Sequence, residues 1–265
     1  MAVLAHNEKA AATWGSGGAG YDLISECIAD TIEHVLARLD VKPGERVLDL
    51  ATGTGWTARR LAQKGAKVVG TDIGAGVIDA AKQFAQAANL DIEFSVGDAE
   101  ATGLPDGTFD VITSTCGVMF ASRPEAVAGE LARLCRRGGR IGLTTWTPAS
   151  TLAGMFQMMR PYMPPPPNPA PPSPFEWGRP ERVRELLGRD FDLKIEPATS
   201  ILRMESGERV WEVFSEGYGP TRMLHQGCGR PDELRRDFIA FHEAHCTENG
   251  VAMPRDYLVV IGTRR

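Results

Sequence analysis

Apolar residues follow two alternating rhythms along the chain. From Arg46, short and nearly continuous apolar runs (RVLDLA, KVVGTD, IEFSVGD, FDVITST and RIGLTTW) are separated by stretches in which apolar positions recur every three or four residues, Trp56 to Lys64, Gly76 to Ala88 and Pro124 to Cys135. The first rhythm predicts buried strands and the second amphipathic helices. Strands alternating with helices at this spacing predict βαβ units in a parallel sheet, with right-handed crossovers. Ahead of them, Ile24, Ile28, Ile32, Val35 and Leu39 predict one helix from Tyr21 to Asp40, ended by the turn KPGE.

After Trp146 the pattern changes. TLAGMFQMMRPYM reads as a helix bearing Met155, Phe156, Met158 and Met159, and it runs into PPPPNPAPPSP, which favours an extended polyproline strap over helix or ladder. The strap reads as a stiff connection holding the preceding helix over a pocket, in preference to an SH3-type ligand. Beyond it the pattern predicts a helix Arg179 to Leu187, an extended run Phe191 to Met204, helical runs Val210 to Tyr218 and Pro231 to His245, and a last strand YLVVIGTRR. Four segments follow: 1–42, an N-terminal lid and packing helix; 43–146, a nucleotide-binding core; 147–250, a roof with the strap and a further strand; and 251–265, a closing strand.

The chemistry concentrates at the predicted strand ends. Gly53-Thr54-Gly55-Trp56-Thr57-Ala58 satisfies a dinucleotide fingerprint, and Asp72 follows Gly55 by seventeen residues, near where a ribose-binding acid belongs. Two further acids separate the readings. Asp49 precedes the glycine turn by four residues, where a carboxylate favours a cationic ligand over a pyrophosphate, or else braces the loop through backbone N–H groups. Asp72 suits the two hydroxyls of a ribose, with a helix N-cap as its other reading. Asp98, followed by the small Ala99, suits an adenine: the carboxylate accepts from the exocyclic amine while the Ala99 N–H donates to the ring. Three acids at three successive strand ends favour S-adenosyl-L-methionine over NAD.

These motifs, VLDLATGTG, VVGTDI, GDAEATGLPDGTFDVI and ELARLCRRGGRIGLTTW, resemble those of class I S-adenosylmethionine-dependent methyltransferases, in particular the bacterial small-molecule group similar to ubiquinone/menaquinone C-methyltransferases. The resemblance runs from about Pro43 to Trp146, and MPRDYLVVIGTRR resembles the group's closing strand. It implies an α/β, Rossmann-like seven-stranded sheet, mostly parallel with the last strand antiparallel, under a helical roof from the N-terminal arm and the C-terminal third. It also implies a cofactor site of Asp49, Ala51, Thr52, Gly53, Thr54, Gly55, Asp72, Ile73, Asp98, Ala99, Thr115 and Cys116. Ala51 stands where the family's turn has its first glycine, a tolerable change only if that residue does not need φ > 0.

Methyl transfer needs alignment and water exclusion more than a base, and a neutral amine attacks unaided. Where a base is needed, His225 is the candidate. Trp14 and Tyr21 in the Gly-rich TWGSGGAGY suggest a lid with aromatic anchors, or a plain flexible arm. With Met119, Met155, Met159, Trp177 and Tyr218, and with Phe175, Trp211 and Phe214 nearby, they suggest a hydrophobic or aromatic small acceptor. Core packing is the plainer reading of the methionines. The alternatives are an NAD-dependent oxidoreductase and a non-catalytic cofactor-binding protein.

Composition narrows the partners. The 265 residues are 43% hydrophobic and 24% charged, with a formal net charge of −5, so no global basic field exists to hold nucleic acid. No run of about 18 apolar residues suggests a membrane span, and MAVLAHNEKAAATWGSG lacks the pattern of a signal peptide, so a cytoplasmic location is expected. A homodimer is compatible with the sequence. The five cysteines have no ligand-like spacing, HEAHC is not H-E-x-x-H, and no metal is expected. The place after the fourth strand reads STCGVMF and lacks the [DNS]-P-P-[YFW] motif of nucleic-acid amino-methyltransferases.

Overall fold

The computed structural model describes residues 3–166 and 170–265. In chain order the regular elements are α1 (Glu8–Gly15), α2 (Tyr21–Glu26), α3 (Ala29–Leu39), β1 (Arg46–Leu50), α4 (Trp56–Gln63), β2 (Lys67–Asp72), α5 (Ala75–Ala87), β3 (Ile92–Val96), β4 (Phe109–Thr115), α6 (Pro124–Leu134), β5 (Cys135–Trp146), α7 (Thr151–Met159), α8 (Pro180–Leu187), β6 (Phe191–Met204), α9 (Gly207–Gly217), α10 (Gly219–Gly227), α11 (Pro231–Glu243), β7 (Cys246–Thr247) and β8 (Gly250–Arg264).

The strands form one sheet in the order β3-β2-β1-β4-β5-β8-β6, with the two-residue β7 pairing β8 as an eighth strand. β1 to β5 pair in parallel, and β8 runs antiparallel to both β5 and β6. The unbroken apolar runs have a physical reason: Val47, Leu48, Asp49 and Leu50 on the central strand are each at most 1% exposed, as expected of a strand covered on both faces. β1 lies between β2 and β4, so the winding direction reverses there. Outside the carboxyl ends of strands at such a reversal a crevice opens.

Several boundaries differ from the periodicity. The single helix expected over Tyr21 to Asp40 is two, broken at Cys27 and Ile28. The buried guanidinium of Arg255 on β8 donates to the Cys27 carbonyl at the end of α2 and to Ser200 Oγ (3.0 Å). Ser200 Oγ in turn donates to Asp30 in the first turn of α3 (2.9 Å). A long-range cation therefore satisfies the carbonyl that a continuous helix would have used itself. α1 and α10 were not anticipated, and β5 and β8 start earlier than their apolar cores suggest. Of the strap, residues 167–169 lie outside the described residues, and those flanking them are exposed and irregular. Among the described residues no helix is long and apolar enough to cross a membrane.

The N-terminal segment is docked against the sheet ends. Backbone meets backbone at two glycine pairs: a side chain at Gly74 would come within 2.7 Å of the Gly15 nitrogen, and one at Gly217 would strike the Gly20 carbonyl oxygen. Glycine is required at both by close approach. These contacts clamp the segment between the start of α5 and the end of α9.

Candidate active site

A cleft opens at the carboxyl ends of β1, β2 and β4, under α1 to α3. Asp49, Ala51, Thr52, Gly53, Asp72, Ile73, Asp98, Ala99, Thr115 and Cys116 all line it, as do Trp14 and Tyr21. Ten of the twelve cofactor positions read from sequence therefore share one surface. The side chain of Thr54 turns away: its hydroxyl donates to Asp22 on α2 (2.8 Å), which also accepts from Arg59 (2.9 Å). Gly55 caps α4 at φ 79°, against the ring of Phe94, and does not face the cleft either.

Each acid is held by specific donors. Asp49 accepts from the Thr52 hydroxyl (2.6 Å) and braces the loop, while burial pushes its carboxyl up to about 7. Asp72 accepts the Gly53 N–H (2.8 Å) and the Gly74 N–H (2.9 Å), joining the glycine turn to the start of α5. Burial raises its pKa against those hydrogen bonds. Asp98 is 1% exposed and accepts from the Glu100 N–H (3.0 Å), the Leu4 N–H (3.2 Å) and Asn7 Nδ2 (2.9 Å). The next residue, Ala99, lines the cleft with a backbone N–H that has no partner among the described residues.

The turn is strained where the sequence departs from glycine. Ala51 has φ 59°, so it does adopt the left-handed conformation, and its change from glycine is not free of cost. Its methyl is accommodated by Gly117, where a Cβ would stand 2.5 Å from that of Ala51. Cys116 is likewise left-handed at φ 54°, with its Sγ 3.3 Å from Thr144 Oγ1. Burial pushes its thiol up to about 12, so it is neither thiolate nor base at neutral pH.

Residues 48–143 match a family described as methyltransferase domain. An uncharacterized protein of Mycobacterium tuberculosis is 35% identical over 262 residues, covering 96% of this chain and 93% of the relative. The demethylmenaquinone methyltransferase of Beutenbergia cavernae is 33% identical over 146 residues, 51% of this chain and 59% of that protein. The chain belongs to the S-adenosylmethionine-dependent methyltransferases. The YcgJ protein of Bacillus subtilis shares the fold of this methyltransferase with a TM-score of 0.62 at 17% identity, covering 89% of this chain and 99% of that one. The cofactor of the present chain is S-adenosyl-L-methionine, and the cleft fits it: an unspent N–H at Ala99, carboxylates at three strand ends and a turn of small residues match an adenosine joined to a cationic amino acid.

Of the residues expected on the acceptor side of the methyltransferase, Trp14 and Tyr21 line the cleft and the others do not. Tyr218 is 5% exposed and lies behind the lining, stacked on Tyr21 (centroids 6.4 Å) and edge-on to Trp14 (5.6 Å). Met119, Met155, Met159 and Trp177 are each at most 1% exposed and fill the core beneath the roof instead of facing the cleft. His225 stands edge-on to Trp211 (4.9 Å) and is not among the residues that line the cleft. The structure adds Asn7, Ser25, Ile28, Ile32, Val118 and Phe120. Ile28 and Ile32 carried a signal, as apolar positions of the packing helix. Asn7 carried none, because its partner Asp98 is 91 residues away.

Proposed function

We propose that this methyltransferase transfers the methyl group of S-adenosyl-L-methionine to a small, uncharged acceptor of hydrophobic or aromatic character. One observation carries this reading: beyond the three acids the cleft is walled by Trp14, Tyr21, Ile28, Ile32, Val118 and Phe120, and among the described residues no lysine, arginine or histidine lines it. A phosphorylated or carboxylated acceptor would meet aromatic rings and aspartates without a compensating cation.

In this reading Asp72 holds the ribose, Asp98 and the Ala99 N–H hold the adenine, and Asp49 with Ala51, Thr52 and Gly53 faces the methionine moiety. The backbone around Gly55 and the buried Thr54 shapes the turn. Thr115 and Cys116 stand at the boundary between cofactor and acceptor. The bound cofactor supplies a methyl group already activated by a positive sulfur. The chain then has to align the acceptor and exclude water, and such alignment lowers a barrier by roughly 7 to 11 kcal/mol. The Tyr21 phenol, raised by burial and the Asp72 charge, stays protonated and serves as a hydrogen-bond donor to the acceptor. A neutral amine attacks unaided and releases its proton to solvent with the product, whereas a phenol gives its proton to solvent before the cleft closes on it.

The test is calorimetric titration with S-adenosylmethionine, S-adenosylhomocysteine and NAD, followed by acceptor panels of neutral phenols, amines, carboxylates and phosphates read out by S-adenosylhomocysteine release. Turnover confined to the neutral panels is expected. Turnover only with phosphates or carboxylates would overturn the acceptor class, and binding of NAD alone would overturn the cofactor roles of the three acids.

A further inference from the structure

Asp98 is held from both sides of the sequence. Its own loop supplies the Glu100 N–H, and the N-terminal segment supplies the Leu4 N–H and the Asn7 amide, both to Oδ2. Asn7 is 4% exposed and lines the cleft beside Asp98 and Ala99. Its orientation is fixed by chemistry, because a carboxylate only accepts: the NH2 group faces Asp98, and the amide oxygen faces the Ser122 hydroxyl at 2.8 Å. The same segment is pinned a second time, where His6 Nε2 lies 2.8 Å from the buried Glu100 carboxylate. It then continues into α1 and α2, which carry Trp14 and Tyr21.

We propose that Asn7 is a positioning residue for cofactor recognition: its amide aims the Asp98 carboxylate at the adenine and couples adenine binding to the docking of the N-terminal segment that walls the acceptor space. This rests on the assignment of Asp98 to the adenine. A carboxylate buried without a cation needs several donors to stay in place, and with three of about four acceptor positions filled, Asp98 retains one direction for an incoming amine. Removing the Asn7 donor frees the carboxylate to rotate, so recognition of the amine weakens while the ribose contacts at Asp72 persist. Trp14 sits one segment further along, so the acceptor wall is anchored through the same side chain that orients the adenine acid.

The experiment compares the affinities of S-adenosylhomocysteine and its purine analogue, which has a hydrogen in place of the exocyclic amine and keeps the ring nitrogen that the Ala99 N–H would meet, by calorimetry on the full chain. Wild type is expected to prefer the adenine compound by about tenfold or more, because a site built to pair an amine leaves a buried acceptor unpaired with the analogue. Asn7→Ala is expected to reduce that preference to about twofold or less. Asn7→Leu keeps the volume and removes the donor without setting a second carboxylate against Asp98, and it guards against a cavity-driven folding defect in the first variant. His6→Ala loosens the same segment without touching Asp98 and should leave the preference unchanged. Hydrogen exchange over residues 3–20 should slow on adding S-adenosylhomocysteine to wild type, and not in Asn7→Ala.

A wild type with no preference overturns the Asp98 assignment and this proposal with it. A normal preference in both Asn7 variants overturns the proposal alone. An equal loss in His6→Ala also overturns it, because docking of the whole segment would then suffice.

Discussion

The two halves of the cleft are built by different means. The half proposed for the cofactor comes from neighbouring strand ends, with Asp49 and Asp72 inside the ends of β1 and β2 and Asp98 just beyond β3, each tied by hydrogen bonds to nearby loops. The half proposed for the acceptor is assembled from distant pieces: Trp14 meets Phe120 at 4.8 Å and Tyr218 at 5.6 Å, and Phe120 meets Phe156 at 6.0 Å. A site for a constant ligand can be written into one sheet. A site whose occupant differs between relatives is more readily remodelled when separate segments supply its walls.

The sharpest way to break the first half is Asp72→Ala, expected to weaken S-adenosylmethionine binding by roughly 100-fold in calorimetry if the proposed charge-assisted bonds to two ribose hydroxyls are lost. Because Asp72 also joins the Gly53 and Gly74 backbones, thermal stability should fall too. Asp72→Asn retains one carbonyl acceptor and should lose less of both.

The second half should break at its backbone contact. Gly217→Ala drives a methyl into the Gly20 carbonyl. A loss of about 1–3 kcal/mol in denaturant unfolding is expected, together with lower acceptor turnover at nearly unchanged cofactor affinity. Equal loss of cofactor affinity would show that the two halves are not separable.

A third test addresses the seam between them. Gly117→Ala places its Cβ 2.5 Å from that of Ala51 and should cost about 1–3 kcal/mol. Ala51→Gly, which removes both that methyl and a left-handed alanine at φ 59°, should by itself be neutral to about 1 kcal/mol stabilising. Combined, the two should be less harmful than the sum, and additivity in the cycle would rule out the compensation.

The smallest effect is on pH. With Asp49 pushed up to about 7 by burial, the folded protein binds a proton that the unfolded chain has released. The stability this contributes is present at acid pH and is lost as pH rises from the ordinary carboxyl range through about 7. A cationic ligand prefers the carboxylate, so S-adenosylmethionine affinity should move the other way, rising about tenfold from pH 6 to pH 8. In Asp49→Asn that slope should flatten. Over the same range His225→Ala should leave turnover unaltered, since His225 packs on Trp211 and does not line the cleft.

Legibility follows the same division. The alternation of strand and helix, the order of the motifs and ten of the residues that line the cleft could be read because each depends on neighbours within a few residues: a strand end, a tight turn, an acid one step beyond. The methionines and Trp177 could not be sorted between core and cleft, because a helical apolar stripe is the same whichever surface it covers. The break between α2 and α3 was equally hidden, since Arg255 is 228 residues from the carbonyl it satisfies.

The amino-acid sequence by itself determined the parallel sheet, because local hydrophobic period and turn chemistry specify strand ends directly, and it indicated the methyl-donor cofactor through three acids at those ends and a motif series that resembles a known family. Only the tertiary structure decided that Asn7 supports Asp98, that Thr54 points to Asp22 instead of the cleft and that His225 stands apart. Those outcomes depend on which distant surfaces exclude water together, and that is a property of the packed chain, not of any window along it.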